Sequence, residues 1–243
     1  MGGRQGSVNL LIISEAVMKR SQINEHIRML EAMAAARGFV LPPFCGWTPE
    51  EWKTKGHEYD EIRHNMLGWD VTDYGRGDFD RIGFTLITLR NGNKKMPQYK
   101  KPYAEKLIML KEGQYSPMHF HWNKMEDIIN RGGGTAIITV FNSRPDEGFD
   151  DTDVTVIMDG RCFVVPAGSE VELKPGESIT IYQGLYHDFK AKPGTGNILL
   201  GEVSMCNDDS CDNRFNPPMG RFPAIEEDEP PYRLLCNEYP PAR

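Results

Sequence analysis

The run Gly113–Gly133, G-QYSPM-H-F-H-WNKM-E-DIINRG-G, decides the fold. His119 and His121 stand two apart, and side chains two apart on an extended strand point to the same face. Glu126 follows five residues later, close enough to turn back beside them. Two neutral imidazoles and a carboxylate on one surface suit a divalent metal of the Mn, Fe, Ni or Zn kind. A lone His-x-His arises by chance easily enough in a chain with six histidines. The glycines at either end of the run are what give it weight.

The order Gly, five residues, His-x-His, four residues, Glu, six residues, Gly resembles the first motif of the cupin superfamily. Further on, Gly176-ESITI-YQ-Gly184-LY-His187 is similar to the second motif. Tyr182 stands where that motif usually has Pro, and Ala191 where it has a trailing Asn. Both departures touch turn geometry rather than metal binding. The resemblance implies four ligands, His119, His121, Glu126 and His187, inside a mostly β fold, a jelly-roll barrel.

The flanking sequence agrees with a barrel. Gly83 to Leu89, Ala104 to Leu110, Thr135 to Phe141, Asp153 to Met158, Arg161 to Val165, Ser169 to Leu173, Ser178 to Tyr182 and Ile198 to Met205 all read as short strands. Asn91-Gly92-Asn93, Asp159-Gly160 and Lys174-Pro175-Gly176-Glu177 are turn signals between them. About nine close-spaced strands predict a β-sandwich or barrel.

Upstream, Ser21 to Arg37 predicts a helix. Ser21 is placed as its N-cap, Ile23, Ile27, Leu30 and Met33 form an apolar stripe, and Gly38 is the stop. Thr48-Pro49-Glu50-Glu51 predicts a second helix, running to about Asn65. His57 and His64 on it read as solvated. Leu67-Gly-Trp-Asp-Val-Thr-Asp-Tyr-Gly-Arg-Gly-Asp-Phe79 reads as an ordered loop, with Trp69, Asp70, Asp73 and Asp78 in structural rather than sugar-binding roles. The domain expectation is therefore a non-native or disordered extension over 1–17, a helical extension and connecting loop over 18–80, and the barrel with a C-terminal tail over 81–243. The acidic, proline-rich tail from Ile225 is expected to pack as an extended segment or to cover a neighbouring subunit.

Bulk properties exclude some partners. The 243 residues carry 35 acidic and 28 basic side chains, a net charge of −7, which argues against nucleic acid and anionic membranes. No apolar run is long enough to span a bilayer. Cys45, Cys162, Cys206, Cys211 and Cys236 are odd in number and widely spaced, which predicts reduced thiols in a cytoplasmic protein rather than a disulfide framework.

Four stretches narrow the resemblance: the Leu67–Phe79 segment, His119 to Gly134, Pro175-Gly-Glu-Ser-Ile to His187, and Gly201-Glu-Val-Ser with Asn207-Asp-Asp and Asp212-Asn. Together they resemble the bacterial D-lyxose isomerase family in its longer form. That resemblance implies an aldose–ketose isomerase interconverting D-lyxose with D-xylulose, and D-mannose with D-fructose. It also implies Mn²⁺ as the preferred metal and a homodimer. Glu202, in a context that matches the family, is the expected base for the C2 proton; its apolar neighbours make an unpaired surface carboxylate there costly. Lys124 is placed either to stabilise an enediolate oxygen or relay a proton, or as a solvated turn lysine. Asp209, Asp212 and Arg214 are candidate sugar contacts or supports for Glu202, and Trp122 and Phe215 candidate stacking surfaces. An Fe²⁺ dioxygenase and a non-catalytic sugar-binding cupin are the competing readings, and a hydride shift competes with proton transfer.

Overall fold

The computed structural model describes residues 17–208 and 211–243. Strand β1 (Val17–Lys19) leads into helix α1 (Arg20–Ala35), followed by the short helices α2 (Pro49–Trp52) and α3 (Asp60–His64). The barrel strands are then β2 (Gly68–Thr72), β3 (Phe84–Arg90), β4 (Tyr103–Leu110), β5 (Tyr115–Phe120), β6 (Glu126–Gly133) and β7 (Ala136–Ser143). They continue with β8 (Phe149–Asp150), β9 (Val154–Met158), β10 (Arg161–Val165), β11 (Glu170–Leu173), β12 (Ser178–Ile181), β13 (Leu185–Ala191) and β14 (Ile198–Met205). Two short strands, β15 (Arg214–Phe215) and β16 (Ala224–Glu226), lie in the tail.

Two antiparallel sheets face each other. The larger runs β10-β9-β12-β6-β14-β4-β3-β2, and the smaller runs β11-β7-β13-β5-β15. Ile108, Ile128, Ile138, Val140, Leu173, Ile179 and Leu200 fill the space between them. This is the predicted mostly β jelly roll with its helical extension. Period-2 alternation sorts the residues: on β14, Leu200, Glu202 and Ser204 point inward, while Val203 and Met205 are exposed.

A second core lies outside the barrel. Ile23, Ile27, Leu30 and Ala34 of α1 are sealed against Trp69, Val71, Ile87, Leu107, Met109 and Leu199 on the outer face of the larger sheet. The sheet is thus buried on both faces here, so β2 shows no alternation and all five of its residues are buried. That is why the Leu67–Phe79 segment, expected as a loop, contains a strand. Asp73 does cap a turn, accepting hydrogen bonds from the Gly75 and Gly77 amides, and the Trp69 indole donates to the Cys45 carbonyl.

Two further expectations are corrected. Ser21 is not the N-cap of α1; Lys19 occupies that position with no side-chain bond. The Ser21 amide and hydroxyl instead donate to Asp228 of the tail, at 2.9 and 2.6 Å, so the acceptor comes from 207 residues away. The second helix starts as predicted, with a complete Thr48–Glu51 capping box, but ends after one turn. Gly56 interrupts it, and α3 begins after a 3₁₀ turn at His57–Tyr59. Residues 126–133 form β6, a strand the sequence hides because its inward positions include Glu126 and Asn130.

The tail wraps its own chain. β16 pairs in parallel with β1, Val17 opposite Ala224, and Glu227, Asp228, Glu229 and Tyr232 all bond to α1. Residues 1–16 lie outside the described residues. The five cysteines form no disulfide with one another, and no helix among the described residues is long and apolar enough to cross a membrane.

Candidate active site

The first histidine is set by strand β5 and the fourth ligand candidate by β13, whose register puts His187 directly opposite His119. His121 follows immediately after β5, and Glu126 opens β6 opposite Ser204 of β14. The ligand atoms of His119, His121 and His187 lie within 4.8 Å of one another, and all three rings are buried. Glu126 Oε1 lies 3.4 Å from His121 Nε2 and 3.1 Å from His187 Nε2. The two motifs, 68 residues apart at His119 and His187, therefore meet at one point.

The imidazoles are held in one tautomer. His119 Nδ1 faces the Pro117 carbonyl at 2.8 Å, His121 Nδ1 the Asp212 carbonyl at 2.8 Å, and His187 Nδ1 the Leu185 carbonyl at 3.0 Å. A carbonyl only accepts, so each Nδ1 carries the proton and each Nε2 presents a lone pair. Burial, with the neighbouring imidazoles, holds His119 well below the usual histidine range, and burial with the Lys124 charge lowers His121. Glu126 is also buried, which opposes its charge, yet Lys124 and His121 outweigh burial and hold its carboxyl well below the usual range. Neutral rings and an ionised carboxylate are thus packed with lone pairs converging. The Nε2 atoms of His121 and His187 have no hydrogen-bond partner. Such an arrangement is repulsive unless a cation sits among the donors, so these residues fit a divalent metal.

Beside this cluster lies Glu202, 4% exposed, on β14. Its Oε1 is 3.0 Å from Lys124 Nζ and 3.3 Å from Lys106 Nζ, and it accepts the Ser204 hydroxyl at 3.0 Å. Lys124 also reaches Glu126 Oε2 at 2.6 Å, so it is a buried bridge between the two carboxylates rather than a solvated turn residue. Lys106 sits opposite Glu202 across β4 and β14, and both ammoniums contact Asn207 Oδ1, at 3.0 and 3.3 Å.

A narrow cavity of about 40 Å³ opens onto these groups. Phe215 forms part of its wall, its ring 5.3 Å from that of His119. Arg221 lines the same cavity, paired with Asp70 and lying over the Phe84 ring. Other expected sugar contacts sit elsewhere. Trp122 is 43% exposed and donates to Glu147, and Arg214 also pairs with Glu147; neither lines the cavity, because both project from the outer side of the smaller sheet. Asp212 is buried and supports the site from behind: its carbonyl orients His121, and its carboxylate accepts from the Asn123 backbone at 2.9 Å. Asp209 lies outside the described residues. The sequence reading missed Lys106, Asn207 and Arg221. For Lys106 a signal exists, since in Ala104-Glu-Lys-Leu-Ile-Met-Leu it shares the inward face with Ala104 and Ile108.

Comparisons with known proteins supply the family. The sequence model of the D-lyxose isomerase family matches residues 18–239. The chain belongs to the D-lyxose isomerase family. It is 46% identical over 223 residues to a D-lyxose/D-mannose isomerase of Escherichia coli O157:H7, covering 91% of this chain and 98% of that one. A D-lyxose/D-mannose isomerase of Serratia proteamaculans shows the same identity and coverage. Among solved structures, the L-ribose isomerase of Acinetobacter sp. DL28 in complex with L-ribose superposes with a TM-score of 0.57 at 15% identity, covering 88% of this chain and all of that one. At that identity the likeness establishes the shared fold. The family membership, not the fold, makes this member a sugar isomerase.

Proposed function

We propose that this D-lyxose isomerase family member interconverts D-lyxose with D-xylulose, and D-mannose with D-fructose, by proton transfer through a cis-enediol. Two relatives at 46% identity carry the name D-lyxose/D-mannose isomerase. The two aldoses share their configuration at C2, where the chemistry occurs. The observation that carries the reading is the buried Glu202 carboxylate, held by two lysines beside three converging imidazoles.

His119, His121, His187 and Glu126 are the residues that would hold a divalent cation. Mn²⁺ is our proposal among those suited to three imidazoles and one carboxylate. Bound there, it would supply Lewis-acid polarisation of the open-chain sugar's carbonyl. Glu202 takes the proton from C2 and delivers it to C1. Over one turnover the C2–H and O2–H bonds break, C1–H and O1–H bonds form, and no oxidant is consumed. Lys106 and Lys124 aim Glu202 and stand ready to donate to the oxygen on which negative charge develops. Phe215 and Phe84 present apolar faces to the sugar and limit water beside the enediol.

Anaerobic incubation of the Mn²⁺-loaded protein with D-lyxose, D-mannose and D-xylose in D₂O, followed by sugar analysis, tests this. The expected result is ketose from lyxose and mannose with solvent deuterium at the transferred position. Product without deuterium would favour a hydride shift. Oxygen-dependent consumption would favour an iron dioxygenase, and binding without turnover a non-catalytic sugar-binding protein.

A further inference from the structure

We propose that Asn91 is a positioning residue for the reaction. It clips Asn207 in place, so that Asn207 Oδ1 keeps the Lys106 and Lys124 ammoniums trained on Glu202. This rests on the catalytic reading of Glu202 given above.

Asn207 needs such a clip. It lies two residues beyond the end of β14 and is only half-buried, so no strand ladder fixes it. Asn91 follows β3 immediately and is 5% exposed. Its side-chain amide grips both sides of Asn207: Oδ1 accepts the Asn207 backbone N–H at 2.9 Å, and Nδ2 donates to the Asn207 carbonyl at 3.0 Å. The Nδ2 group also donates to the Asn65 carbonyl at 3.3 Å, while the buried Asn65 amide returns a bond to the Asn91 carbonyl at 3.0 Å. Both N–H groups and the oxygen of the Asn91 amide are thereby used. No other side chain of this size offers two donors and one acceptor in one plane.

The consequence falls on the lysines. An ammonium has three donors, and Lys124 directs its ammonium at Glu126 Oε2, Glu202 Oε1 and Asn207 Oδ1. Lys106 divides its contacts between Glu202 Oε1 and the same Asn207 oxygen. With Asn207 released, that shared neutral acceptor is lost, and both ammoniums collapse onto the carboxylates or swing into the cavity. A displacement of about 1 Å in a catalytic group can cost about 10²-fold in rate.

The test uses the full-length metal-loaded enzyme with Asn91→Ala, Asn207→Ala and the double variant, measuring kcat and KM for D-lyxose, bound metal and Tm. Asn91→Ala should lower kcat by about 10–10²-fold, with KM within about threefold and metal content unchanged. The double variant should be no slower than Asn207→Ala alone, because the two residues act as one unit. Losses that add, or a kcat within about twofold of wild type whatever happens to Tm, overturn the proposal. Should Asn91→Ala not fold, Asn91→Asp keeps the volume but cannot donate to the two carbonyls; an unchanged kcat there overturns it equally. A wild-type protein that does not isomerise lyxose would sink the functional assignment instead. In that case a crystal structure of the Asn91 variant still decides, by whether Asn207 Oδ1 leaves hydrogen-bond reach of both lysines.

Discussion

Among the described residues, two clusters of buried charge are built to opposite ends. In the outer one, Arg20 at the start of α1 is 2% exposed and is forked by two carboxylates of the tail. Its Nε and Nη2 donate to Glu227 at 2.9 and 2.6 Å, and Nη1 and Nη2 donate to Glu238. Glu227 is still half in solvent, so its carboxylate keeps much of its hydration. In the inner cluster, Glu126, Glu202, Lys106 and Lys124 are all under 5% exposed, and beside them imidazole lone pairs converge without protons between them. A clasp satisfies its donors with its acceptors. A site leaves some of them waiting for a ligand, and desolvated groups left so are a mark of function.

That difference is broken most sharply by removing the proposed metal donors. His187→Ala leaves three of the four donors and opens a buried hole, so bound metal should fall from one per chain to near none. Isomerase activity should be lost with it. Chelation of the wild-type protein should do the same reversibly, with activity restored by Mn²⁺ and the far-UV circular dichroism unchanged. A chelated protein that kept full activity would show that the convergent lone pairs serve packing alone. Next in size is Glu202→Gln, which keeps the shape of the side chain and removes the proposed base. It should cost about 10²–10⁴ in kcat while metal content stays at wild-type level. Because it leaves the buried Lys106 and Lys124 ammoniums with one carboxylate fewer, Tm should fall as well, so kcat is read at a temperature where the variant is folded.

How far the sequence anticipates the inner cluster depends on what each residue needs from its neighbours. The proposed ligand set is legible through the motif resemblance, in which Gly113 and Gly184 mark where the two strands must turn; both have positive φ. The role proposed for Glu202 comes from the same resemblance, and its apolar surroundings argue against a surface carboxylate. Lys106 is legible only in part: it shares the inward face of its strand with Ala104 and Ile108, but only the pairing of β4 with β14 shows that it faces Glu202. Asn91 looks like part of a hairpin turn, yet β3 and β4 are joined by a long connection. Gly92 is there because a Cβ would meet the Lys101 carbonyl at 1.7 Å. Trp122 and Arg214 mislead for the converse reason. They are near the motif in sequence, but period 2 and the β15 pairing send them outward to Glu147. Likewise the cap of α1 is invisible locally, since Asp228 reaches it from the far end of the chain.

The outer cluster should respond in the other coordinate. Arg20→Ala leaves Glu227 and Glu238 facing each other without their cation. It should destabilise the protein by about 2 kcal/mol, discounted from the cost of breaking a fully buried pair because Glu227 is half-exposed. At this chain length that is a fall of about 4–8 °C in Tm. The kcat and KM at a temperature where the variant is folded should match wild type. A kcat loss comparable to that of Glu202→Gln would mean that the tail clasp and the barrel site are coupled, and the division drawn here would fail.

The smallest effect is the pH dependence of the same clasp. Hydrogen bonding to Arg20 holds the Glu227 carboxyl below its ordinary value of 4.5, and bonds from the Ser21 hydroxyl and amide hold Asp228 below 3.8. A carboxyl depressed in the folded state binds its proton more readily when the chain is unfolded. Its contribution to stability is therefore fully present above those ordinary values, and drains away as pH falls through the depressed folded-state values. Tm should drop with acidification in that window, and Glu227→Gln should flatten part of the drop while lowering Tm at neutral pH. Since the inner cluster contributes to acid sensitivity as well, the informative quantity is the difference between the two Tm–pH curves. If the curves stay parallel down through the acid limb, Glu227 is not a proton-linked member of the clasp, and the tail is held by the Glu238 fork and the buried tail side chains alone.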